Sequence, residues 1–280
     1  MFQPPLSKTV KATLSSGDFI WGDAKTWNLF AGPDIYENDE VVHETATTLK
    51  KITSELNIPW IFKCSFDKAN RSSGTSFRGP GMDTALKGFA AIKKELNISL
   101  ITDVHECWQV EKVAEVADVI QIPAFLCRQT DLLHEVAKTG RVINLKKGQF
   151  MAPWDMKSAV EKIAEKGNEK VLLCDRGTSF GYNRLVTDMT GLVEMRSLGC
   201  PVVMDATHAV QLPSGLGNKS GGRPEMISVL ARAAMAVGVD GVFLETHPDP
   251  AKALCDGPSS IKLSEMKALL SQLKKISELS

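Results

Sequence analysis

The sequence predicts a single (β/α)8 TIM barrel preceded by a short β-hairpin, and three observations carry that expectation. Eight strand-like apolar runs are separated or followed by seven helix-period segments at nearly regular spacing. The length, 280 residues, suits a barrel of this kind, which typically takes ~250. Strand after strand ends in polar or charged residues, as expected where the carboxyl ends of parallel strands share one functional face. A doubly wound open sheet is the alternative, but no Gly-rich dinucleotide fingerprint supports it. Residues 1–280 read as one domain, with 1–26 as an N-terminal hairpin extension.

Taken in order, residues 7–22 alternate loosely around Ser16-Gly17-Asp18 and read as the hairpin. Trp27–Ala31 is a short apolar strand running into Gly32-Pro33-Asp34, and Asp39–Leu56 is helical with polar residues in its first turn. The next strand, Trp60–Ser65, leads into a polar loop, after which Met82–Leu96 places Leu86, Phe89, Ala90, Ile92 and Leu96 at helical spacing. Strands follow at Ser99–His105, Val116–Pro123, Val142–Leu145, Val171–Cys174, Pro201–Met204 and Gly241–Leu244. Helices are expected at Asp131–Lys138, Asp155–Lys166, Thr190–Ser197, Pro224–Val237 and Leu263–Ser277.

Composition narrows the function classes. Hydrophobic content of 43% and charged content of 24% are ordinary for a globular chain. Formal net charge is zero, so no bulk attraction draws the protein to nucleic acid or to an anionic membrane. The six cysteines include no CxxC pair and read as free thiols in a reducing compartment. The first residues lack the charged-then-apolar layout of a signal peptide, and no apolar run reaches the ~18 residues of a membrane helix. The expected location is the cytoplasm.

Positive charge is instead local. Lys63-Cys64-Ser65-Phe66-Asp67-Lys68-Ala69-Asn70-Arg71-Ser72-Ser73 and Phe77-Arg78-Gly79-Pro80-Gly81 set cations and short donors at the end of a hydrophobic strand. Lysines in that position cost desolvation unless an anion compensates them, so a phosphorylated or carboxylated ligand is expected rather than a solvated surface loop. The polar groups ending the strands are Asp34, Lys63 with Ser65, Asp103 with His105, Gln121, Lys146, Asp175 with Arg176, Asp205 with His208, and Glu245 with His247. Lys63, Lys68, Arg71, Lys146 and Arg176 make a cationic set able to hold two anionic groups. His208, Glu245 and Asp256 make a second set, suited to a divalent cation, to proton transfer, or to neutralising the lysines; spacing leaves these open.

The motifs KCSFDKANRSS with SFRGPG, then ITDVHE, QIPAFLCRQTDLL, INLKKGQF, LCDRGTSFGYN, MDATHAVQ, SGGRPE, FLETHPDP and CDGPSS resemble the 3-deoxy-D-manno-octulosonate 8-phosphate synthase family. The resemblance runs in order from about Asn28 to Lys274. It implies condensation of phosphoenolpyruvate with D-arabinose 5-phosphate and water, releasing phosphate. The product is expected to feed the lipopolysaccharide core or a corresponding plant wall sugar. On matching positions, Lys63, Ser65, Lys68, Lys146, Gln149 and Arg176 would bind phosphoenolpyruvate. Asn70, Arg71 and Ser72 would bind arabinose 5-phosphate. Arg128 would reach the sugar phosphate of a neighbouring subunit in a homotetramer. Lys68, His208, Glu245, Asp256 and Asp34 would stand at the reacting carbons. The alternatives are another phosphoenolpyruvate-dependent 3-deoxy-sugar synthase and a non-catalytic protein of the same fold, which would lack several of these cations.

One position departs from the family pattern. Members carry Cys, with a bound divalent metal, or Asn, without one, where this chain has Asp34. Asp copies Asn in shape yet is a hard oxygen ligand that would complete a set of Asp34, His208, Glu245 and Asp256 for manganese, iron or zinc. The CDGPSS run resembles the metal-free branch, so the expectation is that no cofactor is required. Asp34 would then need Lys68 or another counter-ion as its partner.

Overall fold

The computed structural model describes residues 7–71, 73–213 and 221–279. In chain order its strands are β1 (Val10–Leu14), β2 (Gly17–Trp21), β3 (Asn28–Gly32), β4 (Trp60–Lys63), β5 (Ser99–Asp103), β6 (Val119–Ile122), β7 (Val142–Lys146) and β8 (Val171–Asp175). They continue with β9 (Thr178–Ser179), β10 (Leu185–Val186), β11 (Val202–Asp205), β12 (Gln211–Leu212), β13 (Gly221–Gly222), β14 (Gly241–His247) and β15 (Ile261–Lys262). The helices are α1 (Asp39–Leu56), α2 (Met82–Leu96), α3 (Val110–Val116), α4 (Thr130–Lys138), α5 (Met156–Ala164), α6 (Met189–Ser197), α7 (Ile227–Val237) and α8 (Met266–Ser277).

Among the described residues, eight parallel strands close the barrel in the order β3-β4-β5-β6-β7-β8-β11-β14, and β14 pairs back to β3 from Gly241↔Asn28 to Glu245↔Gly32. The expected (β/α)8 barrel is what the chain forms. The strands are buried on both faces, which is why they read as near-continuous apolar runs. Alternation still sorts their side chains. Phe30, Ile61, Ile101, Val119, Val142, Leu172, Val203 and Phe243 form the inner cluster, whereas Leu29, Phe62, Leu100, Ile120, Leu145 and Leu244 pack outward under the helices.

The hairpin β1–β2 is a plug. Val10, Phe19 and Trp21 join the inner cluster, with Trp21 stacked on Phe30 at 6.4 Å. Its turn is tied to the amino ends of the barrel strands: Ser15 donates to Asp118, and the hydroxyls of Ser16 and Ser99 meet at 2.7 Å. Each large apolar side chain so buried contributes roughly 1.5–3 kcal/mol. Closing this end leaves the carboxyl end as the open mouth.

Several boundaries differ from the sequence reading. The strand expected at Val116–Pro123 begins at Val119, and Val116 ends helix α3. That helix has seven residues, too few for a helical period to stand out. Residues Pro224–Met226 and Leu263–Glu265 form 3-10 turns ahead of α7 and α8, and α5 is confined to Met156–Ala164. The ribbons β9–β10 and β12–β13 and the strand β15 were not foreseen. Caps fell where turn chemistry puts them: Asn38 accepts from the Val41 amide to start α1, and left-handed Asn57 and Asn97 close α1 and α2. Among the described residues no helix is long and apolar enough to cross a membrane.

Candidate active site

A period of two turns each inward row from apolar to polar as it reaches the mouth. Ile61 leads to Lys63 and Ser65, Ile101 to Asp103, Val119 to Gln121, Val142 to Asn144 and Lys146, Val203 to Asp205, and Phe243 to Glu245. Above these rows opens a cavity of about 870 Å3. Lys68, Asn70, Arg71, Lys146, Gln149, Arg176, His208 and Asp256, all marked by the sequence, line it, as do Asp103, His105, Gln121 and Gln211.

The other expected residues that the structure describes do not line the cavity. Lys63 is beneath the cavity, 1% exposed, donating to Glu245 Oε1 at 2.6 Å and to the Asp34 carbonyl at 2.8 Å. Ser65 is fully buried in a bridge with Ile35, and its hydroxyl has no partner among the described residues. Arg128 is exposed and does not line the cavity. Ser72 lies outside the described residues. Arg78 turns away to form a two-point pair with Asp67 at 2.9 and 2.5 Å, closing the loop after β4. Gly79 makes that closure feasible: it has a left-handed φ of 114°, and a Cβ there would lie 2.3 Å from the Phe66 carbonyl oxygen.

The acid-base groups form linked pairs. Lys68 and Asp34 make a buried ion pair, and Lys68 also stands 4.0 Å from Glu245. Burial works against the Asp34 charge, but Lys68 and Lys63 outweigh it and hold its carboxyl well below the usual range. Glu245 moves the opposite way: burial, then the nearby Asp34 charge, push its pKa up. Burial also opposes the Lys68 charge, yet Asp34, Glu245 and Asp103 raise its pKa well above that of a free lysine. His208 is aimed by Asp205, whose Oδ2 lies 2.7 Å from Nδ1, leaving Nε2 to face Glu245 Oε2 at 3.6 Å. Lys146 pairs with the same Asp205 and lies over the Phe243 ring, 3.8 Å from its centroid. Burial opposes ionisation of Asp205 as well, but His208 and Lys146 keep its carboxyl far below the ordinary range.

Polar atoms that are buried without partners mark where ligand groups fit. Among the described residues they include Arg176 Nη1, Gln149 Oε1, Asp103 Oδ1 and His105 Nδ1. On the other side of the guanidinium, Arg176 Nη2 donates to Gln211 at 2.6 Å. The sequence puts Asp205 and the Asp103–His105 pair, 3.0 Å apart, at the functional face as strand ends without giving them a role, and it does not mark Gln211 or Phe243 as site residues. The signal for Gln211 is its place in MDATHAVQ.

Asp34, His208, Glu245 and Asp256 each offer a ligand atom within 4.8 Å of the others. Asp34 Oδ2 has no hydrogen-bond partner among the described residues, so the donor set fits a divalent ion of the manganese, iron or zinc type. Lys68 and Lys63 already neutralise the two buried carboxylates, so charge balance does not call for an ion.

This is a parallel barrel with a cation-lined, carboxylate-floored cavity at its carboxyl end, the layout of an enzyme acting on anionic substrates. The chain belongs to the DAHP synthetase I family, which it matches over residues 8–280. Its curated relatives include the 2-dehydro-3-deoxyphosphooctonate aldolase of Polaromonas sp., 58% identical over 251 residues, 88% of each chain. Proteins of the same name from Stenotrophomonas maltophilia and Aromatoleum aromaticum are each 55% identical, the first over 89% of this chain and 90% of the relative, the second over 93% and 94%.

Proposed function

We propose that the protein joins phosphoenolpyruvate to D-arabinose 5-phosphate, taking up water and releasing phosphate, to give 3-deoxy-D-manno-octulosonate 8-phosphate. The observation that carries this reading is the cavity lined by Lys68, Arg71, Lys146 and Arg176. Two multiply anionic reactants repel each other in water, and fixed cations in a partly desolvated cavity cancel that repulsion. Relatives that share more than half of their residues with this chain carry the name of that activity.

In this reading Lys68, Lys146, Gln149 and Arg176 contact phosphoenolpyruvate from the cavity wall. Lys63 acts from beneath through Glu245 and Ser65 through its unpartnered buried hydroxyl, and Asn70, Arg71 and Ser72 serve the sugar phosphate. C3 of phosphoenolpyruvate attacks the sugar aldehyde, forming the new C–C bond while the aldehyde oxygen takes a proton. Positive charge develops at C2, where Asp34 and Glu245 favour it electrostatically. Water adds to C2 and loses a proton; the C2–O bond to phosphate then breaks and the ketone forms. His208, Glu245 and Asp256 direct the water and move the protons, with Asp205 orienting the His208 ring.

The charge balance of Asp34 with Lys68 and of Glu245 with Lys63 supports a reaction without a required metal. A divalent ion, if bound, would be held by Asp34, His208, Glu245 and Asp256 and would supply Lewis-acid positive charge. We assign the protein to the cytoplasm and to a homotetramer in which Arg128 reaches a neighbour's sugar phosphate. Exposed Trp108, Phe125, Phe150 and Trp154, on segments following β5, β6 and β7, support such an interface.

The test is product identification with a panel of acceptors. Mass spectrometry is expected to find the eight-carbon sugar phosphate from arabinose 5-phosphate and little product from unphosphorylated arabinose or erythrose 4-phosphate. Equal or better conversion of another acceptor would assign the site to a different 3-deoxy-sugar synthase.

A further inference from the structure

Gln211 occupies the first position of β12 and reaches the cavity with a buried side chain. Its amide oxygen accepts from Arg176 Nη2 at 2.6 Å, and its amide nitrogen donates to Asp256 Oδ2 at 2.5 Å. One planar group therefore separates a guanidinium from a carboxylate. The backbone holds it there. Gln211 pairs with Gly222 of β13, and a Cβ on Gly222 would lie 2.4 Å from the Pro258 carbonyl oxygen, so the ribbon is pressed onto the turn that follows Asp256. Asp256 itself sits in the left-handed region at φ 47°.

We propose that Gln211 is a positioning residue that keeps Arg176 from pairing directly with Asp256. Opposite charges in a desolvated pocket attract strongly, and a guanidinium meets a carboxylate best through two parallel hydrogen bonds. Such a pair would draw in Arg176 Nη1, which has no partner among the described residues, and take Asp256 away from the reacting carbons. Glutamine satisfies both neighbours because a single amide offers an acceptor and a donor. Glutamate offers only acceptors when ionised, methionine fills the space with neither, and asparagine falls one methylene short. The inference rests on the assignment of Arg176 to phosphoenolpyruvate, and it adds a residue that sets the availability of that arginine without touching substrate.

The crystal structure of Gln211→Met, without substrate, is expected to show the Arg176 guanidinium moved onto Asp256. Arg176 and Asp256 left in their present positions would overturn the proposal. In solution, calorimetric affinity for phosphoenolpyruvate should fall about 10- to 100-fold, the loss expected for a hydrogen bond to a charged group. The KM for arabinose 5-phosphate should stay within about threefold. Adding Asp256→Asn to Gln211→Met removes the competing carboxylate and should restore phosphoenolpyruvate affinity; no recovery would count against the idea. If Gln211→Met fails to fold, Gln211→Asn carries the same tests. Failure of the unaltered protein to bind phosphoenolpyruvate would contradict the proposed function, whereas the crystallographic test is read without any ligand.

Discussion

Lys68 and Asp34 form a buried ion pair that joins the loop after β4 to the turn after β3. The pair bears on metal dependence, because an aspartate already compensated by an ammonium gains less from a divalent ion. Dialysis against a chelator is therefore expected to leave most activity in place. Asp34→Asn, equal in shape, should keep turnover within about tenfold of the parent. Activity abolished by chelation and restored by manganese would show instead that the ion is required.

Replacing Lys68 should cost more in turnover than replacing Arg128. Lys68 lines the cavity and is paired with Asp34, beside Glu245, whereas Arg128 is exposed outside it. Lys68→Ala is expected to lower kcat by about 100-fold or more, while Arg128→Ala acts chiefly on the KM for the sugar phosphate. Steady-state kinetics of the two variants side by side decide this, and a larger kcat loss in Arg128→Ala would reverse the assignment.

The Asp103–His105 pair gives a dependence of stability on pH. Burial disfavours the Asp103 charge, yet His105, Lys68 and Lys63 hold its carboxyl below the ordinary range. A carboxylate with a lowered folded pKa adds stability that is fully present above its unfolded value of about 3.9, and that stability is lost as pH falls through the folded value. Asp103→Asn should thus be less stable than the parent at pH 7, on the order of 2 kcal/mol for charge-assisted hydrogen bonds. The gap should narrow on acidification below about pH 4. Urea unfolding across that range measures it; a gap constant with pH would mean the charge is not the cause.

Lys147 is fully buried beside the site, bonded to Thr178 at 3.0 Å and 3.4 Å from Asp175. It follows Lys146 at the end of β7, and its amide donates to the Cys174 carbonyl of β8 at 2.8 Å, two residues before Arg176. Lys147→Met leaves Asp175 buried without its cation, which should cost about 3–5 kcal/mol. Adding Asp175→Asn should recover part of that loss. Chemical denaturation of the single and double variants provides the comparison, and an additive double variant would show that the two residues do not act as a pair.

The barrel was legible because its strands are short apolar runs divided by helices long enough to show their period; Asp39–Leu56 and Met82–Leu96 match to the residue. Helix α3 escaped because seven residues make only two turns. The cavity was legible for a different reason: polar residues that end buried strands have nowhere to go but the mouth. What could not be read was depth. Lys63 and Lys146 look alike in sequence, yet one lies beneath the cavity on Glu245 and the other lines it over Phe243. Gln211 was invisible as a linker because its partners, Arg176 and Asp256, lie 35 and 45 residues away along the chain.

The most direct measurement is phosphate release from phosphoenolpyruvate by the purified protein, with and without arabinose 5-phosphate. Release is expected only when both are present, with one new 3-deoxy sugar phosphate formed for each phosphate freed. Release without the sugar, or none with it, would contradict the claim that this cavity brings the two anions together.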